Sequence, residues 1–135
     1  MANEPFTIVN PQSLARPKGY NHGLLAPEGG RLLFVAGQIG WNETETLVDG
    51  GFVPQFEQAL KNVLAVVLEA GGDATNIGRL TIYVTEKLQY LANLALVGQS
   101  YREVLGKHFP AMALVEVKDL LEPNALVEIE ATAVL

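Results

Sequence analysis

Midway along the chain the spacing of apolar residues changes period. From about Val53 to Ala70, Phe56, Leu60, Val63 and Val67 recur at three- and four-residue steps, which lines one face of a helix. Pro54 sits near the first turn, where a missing N–H costs nothing, and Gly71 with Gly72 supplies a left-handed stop. From Arg79 to Thr85 the pattern becomes strict alternation. Leu80, Ile82 and Val84 share one face of a strand, and Thr81, Tyr83 and Thr85 share the other. A helix and a strand that are each apolar on one side, joined by a short connection, bury those sides together. This confines the chain to a layered fold in which helices cover a sheet.

The remaining segments extend that pattern. Asn10 to Asn21, with Pro11, Pro17 and Gly19, reads as an ordered leader loop. Apolar runs at Gly23 to Ala26 and Arg31 to Ala36, separated by Pro27, Gly29 and Gly30, predict a hairpin. A polar loop spans Asn42 to Gly51. A second helix is expected from about Leu88 to Leu105, with Tyr90, Leu94, Val97, Tyr101 and Val104 as its stripe and Gly106 at its end. Two strands close the chain, Ala113 to Lys118 and Leu126 to Leu135, with Pro123 and Asn124 at the turn between them. The expected order is β-β-β-α-β-α-β-β, an α+β fold with two helices packed on one face of a mixed sheet. The other face is expected to hold Thr81, Tyr83, Met112, Leu114, Glu116, Glu128 and Glu130. Two readings of that face stand: a subunit interface with a polar cleft, or a solvated face that tolerates a few apolar residues.

Composition narrows the function classes. At 135 residues the chain is expected to be one domain, 1–135, large enough to bury a core without a staple. Cys is absent, which excludes disulfides, thiolate metal sites and a Cys nucleophile, and fits a reducing compartment. The start, MANEPFTIVNP, has neither a basic segment nor a long apolar core, so a secretory leader is not expected. The longest apolar stretches fall far short of the ~20 residues that cross a bilayer, so no membrane partner is expected and the cytoplasm is the default location. Net charge is −6 and the nine Lys and Arg residues are scattered, so nucleic acid is not expected as a partner. The two His and the single loop acids Asp49, Asp73 and Asp119 show no metal-ligand spacing, and Ser13 and Ser100 have no accompanying His–Asp arrangement. Ala36 to Gly40 contains only G-x-x-G, which is no phosphate loop and reads as a close backbone approach. No metal and no cofactor are expected.

Four stretches, in this order, resemble the RidA family (YjgF, L-PSP): FVAGQIGW at Phe34 to Trp41, FEQALKNVLAVVLEAGGD at Phe56 to Asp73, TIYVTEK at Thr81 to Lys87, and PAMALVEV at Pro110 to Val117 followed by ALVEIEATAVL at Ala125 to Leu135. The resemblance covers nearly the whole chain. It implies a chorismate-mutase-like fold, a homotrimer, and three small-molecule clefts at subunit interfaces. In the deaminating branch it implies hydrolysis of an imine or enamine to a keto acid and ammonia without a cofactor. There an arginine pairs with the substrate carboxylate, a glutamate handles the proton of water, and a tyrosine shapes the pocket.

Carried over residue by residue, Glu130 falls on the second glutamate of VEIEA, Tyr20 falls near the family's leader-loop tyrosine, and Gly37 and Gln38 match its Gly-Gln turn. Met112 stands where the deaminating branch has arginine, and Gly98 where an asparagine is often found. A thioether cannot pair with a carboxylate, and losing a charge-assisted anchor costs on the order of 1.5–3 kcal/mol. Arg31 and Arg102 are the alternative anchors.

Each candidate also has a plainer reading. Glu130 is a site carboxylate or a strand residue facing water or a partner. His22 is a base or donor lining the cleft, or a surface-loop histidine. Trp41 is a cleft wall or interface anchor, or it packs in the core. His108, before Pro110, reads as structural. Two functions therefore stand: a cofactor-independent imine or enamine deaminase-like hydrolase, and a non-catalytic trimer binding a small metabolite or a protein partner. Ribonuclease activity, also attached to the family, fits the acidic balance least.

Overall fold

A computed structural model describes residues 4–135; Met1 to Asn3, the start of the segment in which no leader is expected, lie outside the described residues. The strands are β1 (Thr7–Val9), β2 (Gly23–Leu25), β3 (Leu32–Ile39), β4 (Ile77–Val84), β5 (Ala111–Glu116) and β6 (Val127–Val134). The α-helices are α1 (Phe52–Glu69), α2 (Lys87–Ala92) and α3 (Leu94–Leu105). Four strands form one sheet in the order β3-β6-β4-β5, antiparallel except for the parallel β4–β5 pair. No helix among the described residues is long and apolar enough to cross a membrane.

Helix α1 forms where its spacing predicts. Phe56, Leu60, Val63 and Val67 are all buried on the side that meets the sheet. Its end is a Schellman motif: Gly71 has φ 95°, its N–H bonds Leu68 O, and the Gly72 N–H bonds Val67 O. Opposite α1 the sheet presents Leu80, Ile82 and Val84 from β4, and Val127, Ile129, Ala131 and Ala133 from β6. Burying each of these side chains contributes roughly 1.5–3 kcal/mol for the larger ones, so this layer holds the fold together. Gln55, buried on α1, ties down the turn before β6: its Nε2 donates to Asn124 O and its Oε1 accepts from the Leu126 N–H.

Three expectations need correction. First, Gly23–Leu25 pairs with Thr7–Val9 and not with the run after Pro27, so the expected hairpin does not form. The Pro27–Gly30 turn instead delivers Arg31 to Leu135, where the two backbones exchange hydrogen bonds, and β3 zips along β6. Second, the predicted second helix is two helices. Asn93, at φ −123° and ψ 26°, breaks it, and its side chain donates to Gln89 O. Spacing alone does not register this competition between a side-chain amide and the helix backbone.

Third, the faces of β5 are reversed. In the β4–β5 ladder Leu80 lies opposite Met112, Ile82 opposite Leu114 and Val84 opposite Glu116, so these β5 residues share the helix-covered side. Met112 and Leu114 pack against the core, whereas Ala113 and Val115 accompany Thr81 and Tyr83 on the open side. Alternation fixes which side chains go together but not which side they take, and a shift of one residue inverts the set. Glu116 consequently does not join Glu128 and Glu130. Its carboxylate accepts the N–H of Lys87 at the start of α2, where a negative charge is favoured.

Candidate functional site

The open face of the sheet is built around Glu130. On β6 it lies opposite Thr81 of β4, and Glu128 lies opposite Tyr83. Tyr83 reaches diagonally across the two strands, and its hydroxyl donates to Glu130 Oε1 at 2.8 Å. That hydrogen bond, with desolvation and the negative charges of Glu130 and Glu128, holds the Tyr83 phenol above its ordinary value of 10.0. Among the described residues no other hydrogen bond engages the Glu130 carboxylate, so Oε2 is available to an incoming group. Gly37 makes room for the neighbouring Glu128: a Cβ there would stand 2.6 Å from Glu128 Oε2. The same face also carries large apolar side chains. Leu32 and Phe34 of β3 lie opposite Val134 and Thr132, and with Val115 of β5 they are exposed, Phe34 at 75%.

On the other side of the same sheet, a cavity of about 530 Å³ opens between α2, α3, β5 and the leader loop. Met112, Leu114, Val97 and Tyr90 line its body, while Tyr20 and Arg102 are among the residues at its polar margin. Leader-loop placement follows from hydrogen bonds to the strand entrance: the Asn21 side chain donates to Phe109 O, and its N–H bonds Pro110 O. Tyr20 then meets the His22 ring edge-on, with centroids 5.4 Å apart.

The predicted site residues therefore fall into separate places. Met112 and Tyr20 share the cavity. His22 does not line it; its Nε2 donates to Ala15 O at 2.7 Å, and the ring borders a shallow depression with Thr132 and Val134. Gly37, Gln38 and Trp41 lie at the β3 end of the sheet, three strand spacings (roughly 14 Å) from β5. The Gln38 side chain donates to Ala36 O, and the Trp41 carbonyl accepts from Asn62. The close approach expected at Ala36 to Gly40 is present, since a Cβ on Gly40 would stand 2.6 Å from Gln55 Cα. His108 is structural, as expected: buried, it donates from Nε2 to Ile77 O and receives the Phe6 ring against its face. Of the two alternative anchors, Arg102 lines the cavity and Arg31 is exposed beside Leu135. Among the described residues no cluster of His, Cys, Asp and Glu could hold a metal ion.

Two partners were missed from sequence. Tyr83 shares a face with Glu130, but only the strand register brings them together. The spacing predicts Tyr90 as part of the stripe of one long helix, and with the break at Asn93 it lines the cavity.

Comparison with known proteins agrees with this architecture. The family model described as endoribonuclease L-PSP matches residues 11–135. A RutC family protein of Aquifex aeolicus (strain VF5) is 42% identical over 110 residues, covering 81% of this chain and 85% of that protein. The human 2-iminobutanoate/2-iminopropanoate deaminase is 31% identical over 105 residues, covering 77% of this chain and 73% of that protein. Among solved structures, a Rid-family protein of unknown function from Yersinia pestis, YyfB, superposes with a TM-score of 0.85 at 33% identity, covering 97% of this chain and 99% of that one. With the match running over almost the full length and through both faces of the sheet, the chain belongs to the RidA (YjgF/L-PSP) family.

Proposed function

We propose that this protein is a cofactor-independent hydrolase that converts a small imine or enamine to the corresponding carbonyl compound and ammonia. We further propose that it acts as a homotrimer in the cytoplasm, with clefts at the subunit boundaries. The observation that carries this reading is the Tyr83–Glu130 hydrogen bond on a sheet face that also exposes Leu32, Phe34 and Val115. A phenol that fixes one carboxylate oxygen leaves the other oriented to take a proton from water. An enamine first takes a proton at carbon to become the imine. Water oxygen then bonds to the imine carbon as Glu130 takes one proton from it and passes it to nitrogen. The remaining hydroxyl proton follows through Glu130 to the amine, and the carbon–nitrogen bond breaks as the carbonyl forms and ammonia leaves. Kinship with the human deaminase supports the reaction class.

The trimer is part of the proposal because one copy cannot complete the cleft. Glu130 and the Met112 cavity lie on opposite sides of the same sheet. Exposed Phe34, Leu32 and Val115 belong to the strands on either side of Glu130, an arrangement suited to burial against sister copies. Such packing would bring the β5 edge of one copy, with its cavity, toward the Glu130 face of the next.

The test is to release an imine in solution from an amino acid and follow its decay and ammonia formation with and without the protein. Acceleration by the wild type, reduced roughly 10²–10⁴-fold in Glu130→Gln with the oligomer intact, is the expected result. A second reading, a non-catalytic trimer that binds a metabolite, rests on Met112 where the deaminating branch has arginine. Ligand-dependent thermal stabilisation without any acceleration of imine decay would decide for it.

A further inference from the structure

Met112 stands where the family resemblance places an arginine, and a different arginine, Arg102 of α3, lines the same cavity. Arg102 stands one helical turn after Gly98 on α3, so the two positions lie on the same helix face. A Cβ placed on Gly98 would come 3.2 Å from Arg102 Nη1. The guanidinium thus folds back over the glycine, in space that a side chain at that position would contest, and it lies at the rim of the cavity. Gly98 carries a helix-interior penalty of roughly 1 kcal/mol relative to alanine, which nothing in the packing of α3 itself explains. The only atoms a Cβ there would meet within 4 Å are those of the Arg102 guanidinium, whose flexible end can yield the few tenths of an ångström required.

The surroundings of Arg102 point to a ligand. No Asp or Glu lines the cavity, and its other cation is Lys18, across the rim beside Tyr20. Among the described residues the one ion pair is Lys61–Glu57, so Arg102 carries no internal carboxylate partner. Behind the rim the wall is apolar: Met112, Leu114, Val97 and Ile82, with Phe56 at depth. A planar, bidentate donor above an apolar chamber matches a carboxylate carrying a hydrophobic tail. At about 530 Å³ the chamber is far larger than a two- or three-carbon acid requires. Met112 accordingly forms part of the tail pocket, where a flexible thioether suits irregular apolar shapes.

We propose that Arg102, seated over Gly98, is the carboxylate anchor of this protein. It selects imino and keto acids whose side chains are branched aliphatic or aromatic. The identity of the reacting acid rests on the hydrolase reading above; the anchor itself does not, because binding is measured without turnover.

The experiment is calorimetric titration of the full chain with 4-methyl-2-oxopentanoate, phenylpyruvate and pyruvate, repeated on Arg102→Gln and Gly98→Ala. Wild type is expected to bind the two bulky acids at least tenfold tighter than pyruvate. Arg102→Gln should weaken them by about ten- to hundredfold, the effect of losing one charge-assisted pair. Gly98→Ala, which favours the helix and therefore folds, asks the guanidinium to give by only a few tenths of an ångström, so it should weaken both acids far less than Arg102→Gln and leave the uncharged amide of 4-methyl-2-oxopentanoate unchanged. Absence of binding by wild type, equal affinity for pyruvate, or undiminished binding by Arg102→Gln would each overturn the proposal. If the imine assay succeeds while Arg102→Gln binds normally, the anchor is wrong and the hydrolase stands. If the acids bind through Arg102 but imine decay is not accelerated, the hydrolase is wrong and the anchor stands.

Discussion

Tyr83 and Glu130, on neighbouring antiparallel strands and two residues out of register, are joined by a 2.8 Å hydrogen bond from the phenol to the carboxylate. The phenol gives the carboxylate one fixed oxygen and one free oxygen.

If that arrangement directs water, removing only the hydroxyl should loosen the base without removing it. Tyr83→Phe is expected to lower the rate of imine hydrolysis by about tenfold, in line with one lost hydrogen bond to a charged group. Melting temperature should change little, because Tyr83 is only half-buried. The comparison of kcat between Tyr83→Phe and Glu130→Gln checks this. Equal losses would mean the pair acts as one unit; no loss would remove the tyrosine from the chemistry.

Phe34 offers the most direct test of self-association. Its ring is 75% exposed on the Glu130 face, opposite Thr132, with Leu32 beside it at 62%. Phe34→Asp would place a charge where sister copies are proposed to pack, and a desolvated charge without a partner costs several kcal/mol. Light scattering is expected to show trimers for wild type and monomers for Phe34→Asp, with helix content by circular dichroism unchanged. A wild type that is monomeric at micromolar concentration would contradict the shared cleft.

How far the sequence led is visible in individual residues. Helix α1 and strands β4 and β6 were legible because one apolar stripe or alternation matched one burial pattern, from Phe56 to Val67 and from Leu80 to Val84. Val127 to Ala133 did the same. Strand β5 was legible as a strand but not in orientation. It is an edge strand with Met112 and Leu114 on one side and Ala113 and Val115 on the other, so neither side is clearly polar. The acids Glu116, Glu128 and Glu130 suggest a common face, and the β4–β5 register puts Glu116 on the other side. Glu130 itself was identified by motif, whereas its partner Tyr83 depended on the β4–β6 register, which no local pattern records. Likewise Gly98 was noted as a departure, yet its relation to Arg102 follows only from the helical turn that stacks them.

The two close-approach glycines of β3 and its end should differ sharply in tolerance. At Gly40 a new Cβ would meet the Gln55 Cα, Cβ and carbonyl oxygen at 2.6 to 2.8 Å, mostly backbone that cannot move without shifting α1. Gly40→Ala is expected to destabilise by about 2–3 kcal/mol or to prevent folding, as overpacking against a rigid neighbour does. At Gly37 the obstacle is the end of the Glu128 side chain, which can turn away. Gly37→Ala should therefore cost less than about 1 kcal/mol in urea denaturation. Similar losses at both positions would show that the Glu128 carboxylate is as firmly held as the α1 backbone.

Stability should fall under alkaline conditions, and Tyr101 should account for part of the loss. Burial raises the Tyr101 phenol well above its ordinary value of 10.0, and its hydroxyl donates to His108 O. Tyr83 is raised as well, chiefly by its hydrogen bond to Glu130. In the unfolded chain both phenols begin to ionise near pH 10, while in the folded protein they keep their protons. The native state then binds more protons than the unfolded state, so unfolding free energy declines as pH rises above 10 and is insensitive to these groups below it. Tyr101→Phe removes a buried donor and leaves the His108 carbonyl unpaired, which should cost about 1–3 kcal/mol near neutral pH. The same variant should show a shallower alkaline decline than wild type, because one proton-retaining group is gone. Urea denaturation of both proteins at neutral pH and at several values above 10 measures the two effects separately. An alkaline slope identical in wild type and Tyr101→Phe would mean that the buried phenol titrates alike in the folded and unfolded chains.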